Sequence, residues 1–534
     1  MTHSEAQTSF NFSDLLSVAA SAVPERPAIV CDEQVISFGD LRSRVASLAA
    51  YLDSCGLKRG DTVGLQLNNC PAFLVGFFAT CSLGAVPFNI NFRYVGPELE
   101  HLYENSNMAA LLHHKADSPQ VDAQLATGHR LKARLCIDEA KTDPLSDEFA
   151  RTVETQCPGF RTSAGRDDDL VIIYTGGTTG FPKGVMWPHK SLFFGALGGG
   201  GWYHPDGPVS RPSGLTRRII EGPWLRVFPV APLIHGAALW TALGSLLVGH
   251  TIVLAQASPF SAANVWSLAE KHQVNIMAIV GDAMALPLAE ALENQPGRWD
   301  LKSLNHVGSG GAIFSPHLRA RMERALPQAS TSSSMGTTET GTMGPGDKSP
   351  EKGIMHYSAR PDLAVITNGR LAEPEEHGVI ARRGYLPIGY YGDTRTSRET
   401  FLKINGVDYA LGGDAAVLNK DGSIDVLGRG STCINTGGEK VYPEEVEQIL
   451  KSHSAIRDAL VVAANHPRWG QQVAAVVSLA QGAKFEKEDI QAHCRKSLAG
   501  YKVPRQFVTE PEIRRSVAGK PDYSWARTRL TAQS

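Results

Sequence analysis

Tyr174-Thr-Gly-Gly-Thr-Thr-Gly-Phe-Pro-Lys183-Gly184 is the stretch from which the chain can be read. The apolar run Leu170-Val-Ile-Ile-Tyr174 before it predicts a buried strand, and Val185-Met-Trp187 after it a short second strand. Between them lie Gly176, Gly177, Gly180 and Gly184, the threonines Thr175, Thr178 and Thr179, and Lys183. Glycines let backbone N–H groups approach a ligand closely and permit positive φ. Hydroxyls and a flexible ammonium add donors, so the loop suits phosphate oxygens. An ordinary hairpin turn needs only a glycine or two. Nor is this the mononucleotide P-loop, in which Gly-Lys-Ser/Thr opens a helix, because Lys183 follows Phe181-Pro182.

A chain of 534 residues is too long for one core, so two or more domains are expected. A formal net charge of −2 argues against a nucleic-acid binder or a strongly basic membrane-surface protein. The eight cysteines show neither metal-ligand nor CxxC spacing, which predicts reduced thiols in a cytoplasmic protein. The polar N-terminus lacks a basic-then-apolar signal pattern. The apolar stretch from Trp240 to Leu254 is broken by Gly244, Gly249 and His250. It predicts a buried helix, a turn and a strand, not a membrane span.

Upstream of the loop, Leu41, Val45, Leu48, Ala49 and Leu52 share one helical face behind a cap at Ser37 or Asp40. Strands at Gly60–Leu67 and Ala85–Ile90 flank an apolar helix, Pro71–Leu83. This alternation predicts an α/β domain with mainly parallel sheets. Residues 114–168 are more polar and are expected at the surface. After the loop, a helix from His189 runs into Gly198–Gly201, which cannot sustain it, and the polar segment to Gly222 is expected to be an excursion or lid. Strands follow at Val227–Pro232, Thr251–Leu254 and Val274–Val280. Past Gly428 the character changes to a small α+β module: helix from Pro443, strands at Ala459 and Ala474, helix from Glu486. The expected division is residues 1–428 as a large N-terminal domain, 429–431 as a hinge, and 432–534 as a small mobile domain.

The loop resembles, almost residue for residue, the Thr-Gly/Ser-Gly-Thr-Thr-Gly-x-Pro-Lys-Gly signature of the adenylate-forming superfamily of acyl-CoA synthetases, luciferases and peptide-synthetase adenylation domains. The likeness continues in order through Ser309-Gly310-Gly311-Ala312, Ser334-Met335-Gly336-Thr337-Thr338-Glu339, Asp414, Gly428-Arg429, Thr436-Gly437-Gly438-Glu439-Lys440 and Gly519-Lys520. The chain departs from the pattern where Met335 replaces an aromatic residue that stacks on adenine, Gly412 a threonine, and Ser431 an Asp or Lys, and where Pro521-Asp-Tyr follows Lys520 in place of a basic continuation.

The resemblance implies roles residue by residue. Lys183, with the Thr175, Thr178 and Thr179 hydroxyls and the loop glycines Gly176, Gly177 and Gly180, would hold the β and γ phosphates of ATP. Gly310, Gly311, Ala312, Ser334, Met335 and Gly336 would border adenine, and Thr338 would touch the α-phosphate. Glu339 would hold Mg²⁺, a hard cation suited to carboxylate and phosphate oxygens. Asp414 would bond the ribose hydroxyls and Arg429 ribose and phosphate. Gly437, Gly438 and Lys440 would lie along the pantetheine arm of coenzyme A. Lys520 would bridge the substrate carboxylate and the nucleotide.

Catalysis would then proceed in two steps, acyl-AMP with pyrophosphate first, and transfer to coenzyme A with release of AMP second. The substrate pocket falls at His235, Gly236 and Gly310, where His235 either gates or packs. Leu233 and Ile234 stand where peptide-synthetase domains carry an aspartate, which disfavours an amino acid. The Gly198–Gly201 run and the Ile279–Met284 region suggest a roomy apolar pocket, and a bulky terpenoid or steroid acid is preferred over a linear fatty acid. Adenylation alone, transfer to a carrier-protein thiol, or an inactive nucleotide-binding homologue are the alternatives, and a homodimer is compatible with any of them.

Overall fold

The computed structural model describes residues 9–94, 96–137, 164–175, 181–202, 204–255, 260–312, 314–346, 355–429, 432–436, 439–466, 470–515 and 519–532. Among them run four sheets. The first takes Leu170–Thr175 as an inner strand, parallel through Val86–Asn89 to Thr62–Gln66, Ala110–His114 and Ala133–Ile137. Its other neighbour is the antiparallel Lys183–Pro188, so the two strands expected on either side of the phosphate loop are present. The second sheet is centred on the parallel strands Arg226–Pro229, Ile276–Ile279, His306–Gly310 and Ser330–Thr337.

Local chemistry explains these elements. Helix Phe38–Ser54 starts at Ser37, whose hydroxyl accepts from the Asp40 N–H while the Asp40 carboxylate accepts from the Ser37 N–H, a capping box. Leu41, Val45, Leu48, Ala49 and Leu52 are all buried, as their spacing requires. Helix Pro71–Ser82 is buried almost all round and lies inside the main core, which is why its apolar residues show no polar face. Trp240–Leu254 resolves into the end of helix Gly236–Leu246, a turn at Gly249 and strand Thr251–Leu254. No helix of the described residues is long and apolar enough to cross a membrane.

Two expectations change. Residues 355–429 supply a further, wholly antiparallel sheet, apart from Gly389–Tyr390, which joins the first sheet beside Lys183–Pro188. The strands of this further sheet are only partly buried, so their alternation is weak in the sequence. The Gly198–Gly201 run does not open space. A Cβ at Gly198 would strike the Trp202 ring, at Gly199 Phe194 and Pro208, and at Gly200 Leu215. These glycines permit close packing, and helix Gly214–Glu221 beyond them buries Leu215 and Ile219 instead of forming a loose lid.

The C-terminal module is a five-stranded sheet led by Ile456–His466 against Gly470–Leu479, with helices Pro443–Lys451, Lys487–Arg495 and Tyr523–Ala532. It has its own core around Ile434, Val446, Val461, Ala475 and Ile490. The large domain reaches it at Gly428, whose φ is +119°, and a Cβ there would lie 2.5 Å from a carboxylate oxygen of Glu444 in the small domain's first helix.

His189 gives the large domain an acid-sensitive point. Its ring is fully buried, stacks on Phe12 at 4.7 Å, and accepts the Phe12 N–H at Nδ1. Burial pushes its pKa down to about 3. The unfolded chain binds a proton near pH 6.5 that the folded chain refuses, so stability falls as pH drops from about 6.5 towards 3. His189→Gln is expected to lose less stability than the wild type between pH 7.5 and 5 in urea unfolding. An unchanged pH slope would assign the acid lability to other groups.

Candidate functional site

The seam between the two parallel sheets is stitched by asparagines. Asn89, buried, accepts the Tyr174 N–H through Oδ1 and donates through Nδ2 to the carbonyls of Tyr174 and Ile234, at 2.8, 3.0 and 2.7 Å. Asn69 accepts from Leu233 N at 2.7 Å and donates to the Ala231 carbonyl at 3.1 Å. The strand entering the phosphate loop and the turn bearing His235 are thereby held together. A buried amide that satisfies so many backbone groups is costly to remove. Neither asparagine stood out in the sequence, because each acts on a partner far along the chain.

Lys183 and Thr175 face each other across the ladder at the mouth of the loop. Gly184 is required there, since a Cβ would lie 2.7 Å from Ile172 and 2.9 Å from the Tyr174 ring. Lys183 Nζ lies 3.2 Å from Thr396 Oγ1, 3.7 Å from Asp393 Oδ2 and 5.4 Å above the Tyr390 ring. The Tyr390 hydroxyl donates to Glu339 Oε1 at 2.8 Å, and burial together with the Glu339 charge pushes the phenol pKa up. The phosphate-loop lysine and the candidate magnesium carboxylate therefore share one aromatic neighbour. Tyr390, Asp393 and Thr396 were missed in the sequence; Asp393, which caps helix Thr394–Thr400 through the Thr396 N–H, was the available signal.

Strand His306–Gly310 ends beside strand Ser330–Thr337, with Gly310 paired to Ser334. An added Cβ at Gly310 or Gly311 would lie 3.8 Å from Ala237, in ordinary contact, and Gly311 holds a positive φ of +84°. Met335 packs against the core of the antiparallel sheet, and Gly336 allows the close return of the chain at Gly341. Thr338 is fixed through its carbonyl, which accepts the Trp187 Nε1–H at 2.9 Å. Asp414, largely buried, pairs in register with Arg429 at the end of the antiparallel sheet. A Cβ at Gly412 would lie 3.1 Å from Ile380, so the missing threonine matches a crowded wall.

The C-terminal lysine is brought to this seam from the other domain. Gly519, with φ +72°, packs where a Cβ would meet Ala283 at 3.1 Å and the Val280 carbonyl at 3.2 Å. Lys520 beside it depresses His235, whose ring is driven down to about 4, first by burial and then by Lys520 and Arg93. His235 is thus a neutral ring at pH 7, immediately before helix Gly236–Leu246. Gly176, Gly177, Thr178, Thr179, Gly180, Ser431, Gly437 and Gly438 lie outside the described residues; Lys440 pairs through its backbone with Asn435. Ala312 follows the Gly310–Gly311 turn and packs on the second core.

Lys183 and Glu339 thus meet around Tyr390, while Gly519, the neighbour of Lys520, packs against Val280 and Ala283 of the large domain. Glu339 keeps acceptor capacity beyond its bond from Tyr390, so the donor set fits a hard divalent cation.

Known proteins are similar to the chain over most of its length. The sequence matches the AMP-binding enzyme family over residues 16–391 and the AMP-binding enzyme C-terminal domain over residues 445–520. It is 38% identical over 533 residues to a medium/long-chain-fatty-acid–CoA/3-oxocholest-4-en-26-oate–CoA ligase of Mycolicibacterium smegmatis, covering 97% of this chain and 96% of that protein. To a 3-oxocholest-4-en-26-oate–CoA ligase of Rhodococcus rhodochrous it is 37% identical, covering 97% and 95%. The fold is similar to that of the anthranilate CoA ligase AuaEII in complex with anthranoyl-AMP, with a TM-score of 0.82 at 21% identity over the full length of both chains.

Proposed function

The chain belongs to the AMP-binding enzyme family, and from that premise we propose that it is an AMP-forming acyl-CoA synthetase for bulky hydrophobic carboxylic acids. The observation that carries this reading is the packing of Gly519, the neighbour of Lys520, against Val280 and Ala283 of the large domain. The charge of Lys520 then adds to burial in lowering the pKa of His235. The acid substrates named for the similar ligases, fatty and steroid-side-chain acids, favour an extended or polycyclic apolar acid.

A carboxylate and ATP are both anions, so their reaction is slowed by repulsion that fixed positive groups offset. Lys183, withdrawn from its half-exposed contact with Asp393, reaches the outer phosphates. Lys520 meets the carboxylate and the α-phosphate where the acyl–oxygen–phosphorus bond forms and pyrophosphate departs. Asp414 and Arg429 hold the ribose side, and Thr338 the α-phosphate. Glu339 would hold Mg²⁺, which would supply positive charge to offset that of the phosphates. His235, neutral at pH 7, closes the carboxylate end of the pocket without adding a second charge. In the second half-reaction the thiol of coenzyme A displaces AMP, a good leaving group, so no protein nucleophile is needed. Residues 429–431 are the proposed hinge that removes Lys520 from the site between the steps.

Pyrophosphate exchange tested across steroid-side-chain, long-chain, aromatic and amino acids, followed by acyl-CoA detection, checks this reading. Exchange with an apolar acid and formation of its thioester are the expected results. Exchange without thioester formation would reduce the protein to an adenylating enzyme or one serving a carrier-protein thiol, and no exchange with any acid would remove the enzymatic reading. Tyr390→Phe keeps the ring under Lys183 and deletes the hydroxyl on Glu339. A hydrogen bond to a charged group contributes about 1.5–3 kcal/mol, so kcat/KM for ATP is expected to fall roughly tenfold or more, with a raised magnesium requirement. Unaltered magnesium dependence would detach Tyr390 from the metal site.

A further inference from the structure

Beyond the site itself, a row of buried charges joins the two domains. Lys451, the last residue of helix Pro443–Lys451, extends Nζ to Asp282 Oδ2 at 3.2 Å and to Asp458 Oδ1 at 3.6 Å. Asp282 sits in the first turn of helix Gly281–Asn294 in the large domain, and its Oδ1 accepts the Ser315 N–H at 2.8 Å. Arg515 bonds Asp458 through Nε and Nη2 at 2.8 to 3.1 Å. The side chains of Lys451 and Asp282 are only 7% and 4% exposed.

This row leads to the catalytic loop. Arg515 pairs through its backbone with Pro521, which closes the loop carrying Gly519 and Lys520. Gly519 rests on Val280 and Ala283, the residues flanking Gly281–Asp282. The Gly281 N–H in turn donates to Ser309 Oγ at 2.8 Å, next to the Gly310–Gly311 turn. The wall of the nucleotide pocket and the base of the lysine loop are therefore tied to the same buried ion pair.

Resting on the synthetase reading, we propose that Asp282 and Lys451 are positioning residues that seat the Lys520 loop for acyl-AMP formation and must part before thioester formation. A buried pair adds little net strength, because desolvating two charges nearly cancels their attraction. Its effect is selective: a small domain docked in another register leaves a charge buried without its partner, at high cost. Asp at a helix N-terminus and Lys at a helix C-terminus are each favoured by the helix dipole, so both tolerate separation into water. The pair thus defines one docking geometry without making it permanent. Arg457 and Glu290 bridge the same domains, but at roughly a third exposed they are screened and contribute less.

The test measures the two half-reactions separately on the full-length enzyme: single-turnover acyl-AMP formation, and thioester formation from supplied acyl-AMP. Asp282→Asn retains an oxygen for the Ser315 N–H and leaves Lys451 with only Asp458, which Arg515 already engages; Lys451→Met leaves the Asp282 carboxylate without its buried cation. Each is expected to slow acyl-AMP formation by about tenfold or more while thioester formation stays within about twofold. The double variant removes both charges and is expected to recover most of the loss, which a merely damaged fold would not do. Glu290→Gln is expected to change either step by less than about threefold. Equal losses in both half-reactions, or a double variant as slow as the two single losses combined, would overturn the positioning role. A wild type that makes no acyl-AMP from any acid would instead overturn the synthetase reading, and the inference with it.

Discussion

Lys520→Ala is expected to abolish acyl-AMP formation while leaving thioester formation from preformed acyl-AMP largely intact. Gly519, next to Lys520, packs onto Val280 and Ala283 of the large domain, and the proposed role of Lys520 is to meet the substrate carboxylate and the α-phosphate. Without its ammonium, two anions must approach each other with only Lys183 and the metal to offset their charge. Losing one such preorganised group costs at least ~3 kcal/mol, or more than about a hundredfold in rate. Rapid-quench measurement of each half-reaction decides the matter, and equal impairment of both would refute a lysine confined to the first step. Lys520→Arg is expected to recover only part of the rate, because a planar guanidinium does not match a compact ammonium in position or hydration.

Glu339→Gln is expected to reduce acyl-AMP formation by about a hundredfold or more, with saturation by Mg²⁺ displaced to higher concentration. The amide keeps an oxygen for the Tyr390 hydroxyl, so local packing is spared while the charge that a hard cation prefers is lost. Pyrophosphate exchange titrated with free Mg²⁺ reads the effect directly. A variant with wild-type metal dependence would move the cation site elsewhere. The two substitutions also differ in kind: the first removes a group that arrives with the small domain, the second one that stays with the large domain.

Much of this was readable before any coordinates, for identifiable reasons. The phosphate loop announces itself because its residues are consecutive and chemically unusual. Helix Phe38–Ser54 was legible because Ser37 and Asp40 cap it and Leu41 to Leu52 repeat at helical spacing. The antiparallel sheet of residues 355–429 was not, because strands such as Leu363–Thr367 and His377–Arg383 are half-buried without strict alternation. Gly198–Gly201 misled, since a missing side chain marks close packing as readily as empty space. Tyr390 beside Lys183 and Glu339, and Asp282 beside Lys451, were invisible for another reason. Each unites residues far apart in the chain, and only the folded arrangement gives them a common neighbour.

The bare α-carbon of Gly428 has a mechanical consequence. The Glu444 carboxylate occupies the space where a methyl group would project, and alanine at this joint would push that flexible side chain aside. The larger cost would be the backbone strain of a side chain at φ +119°. The joint would then resist the docked arrangement of the two domains although no group that handles substrate had been altered.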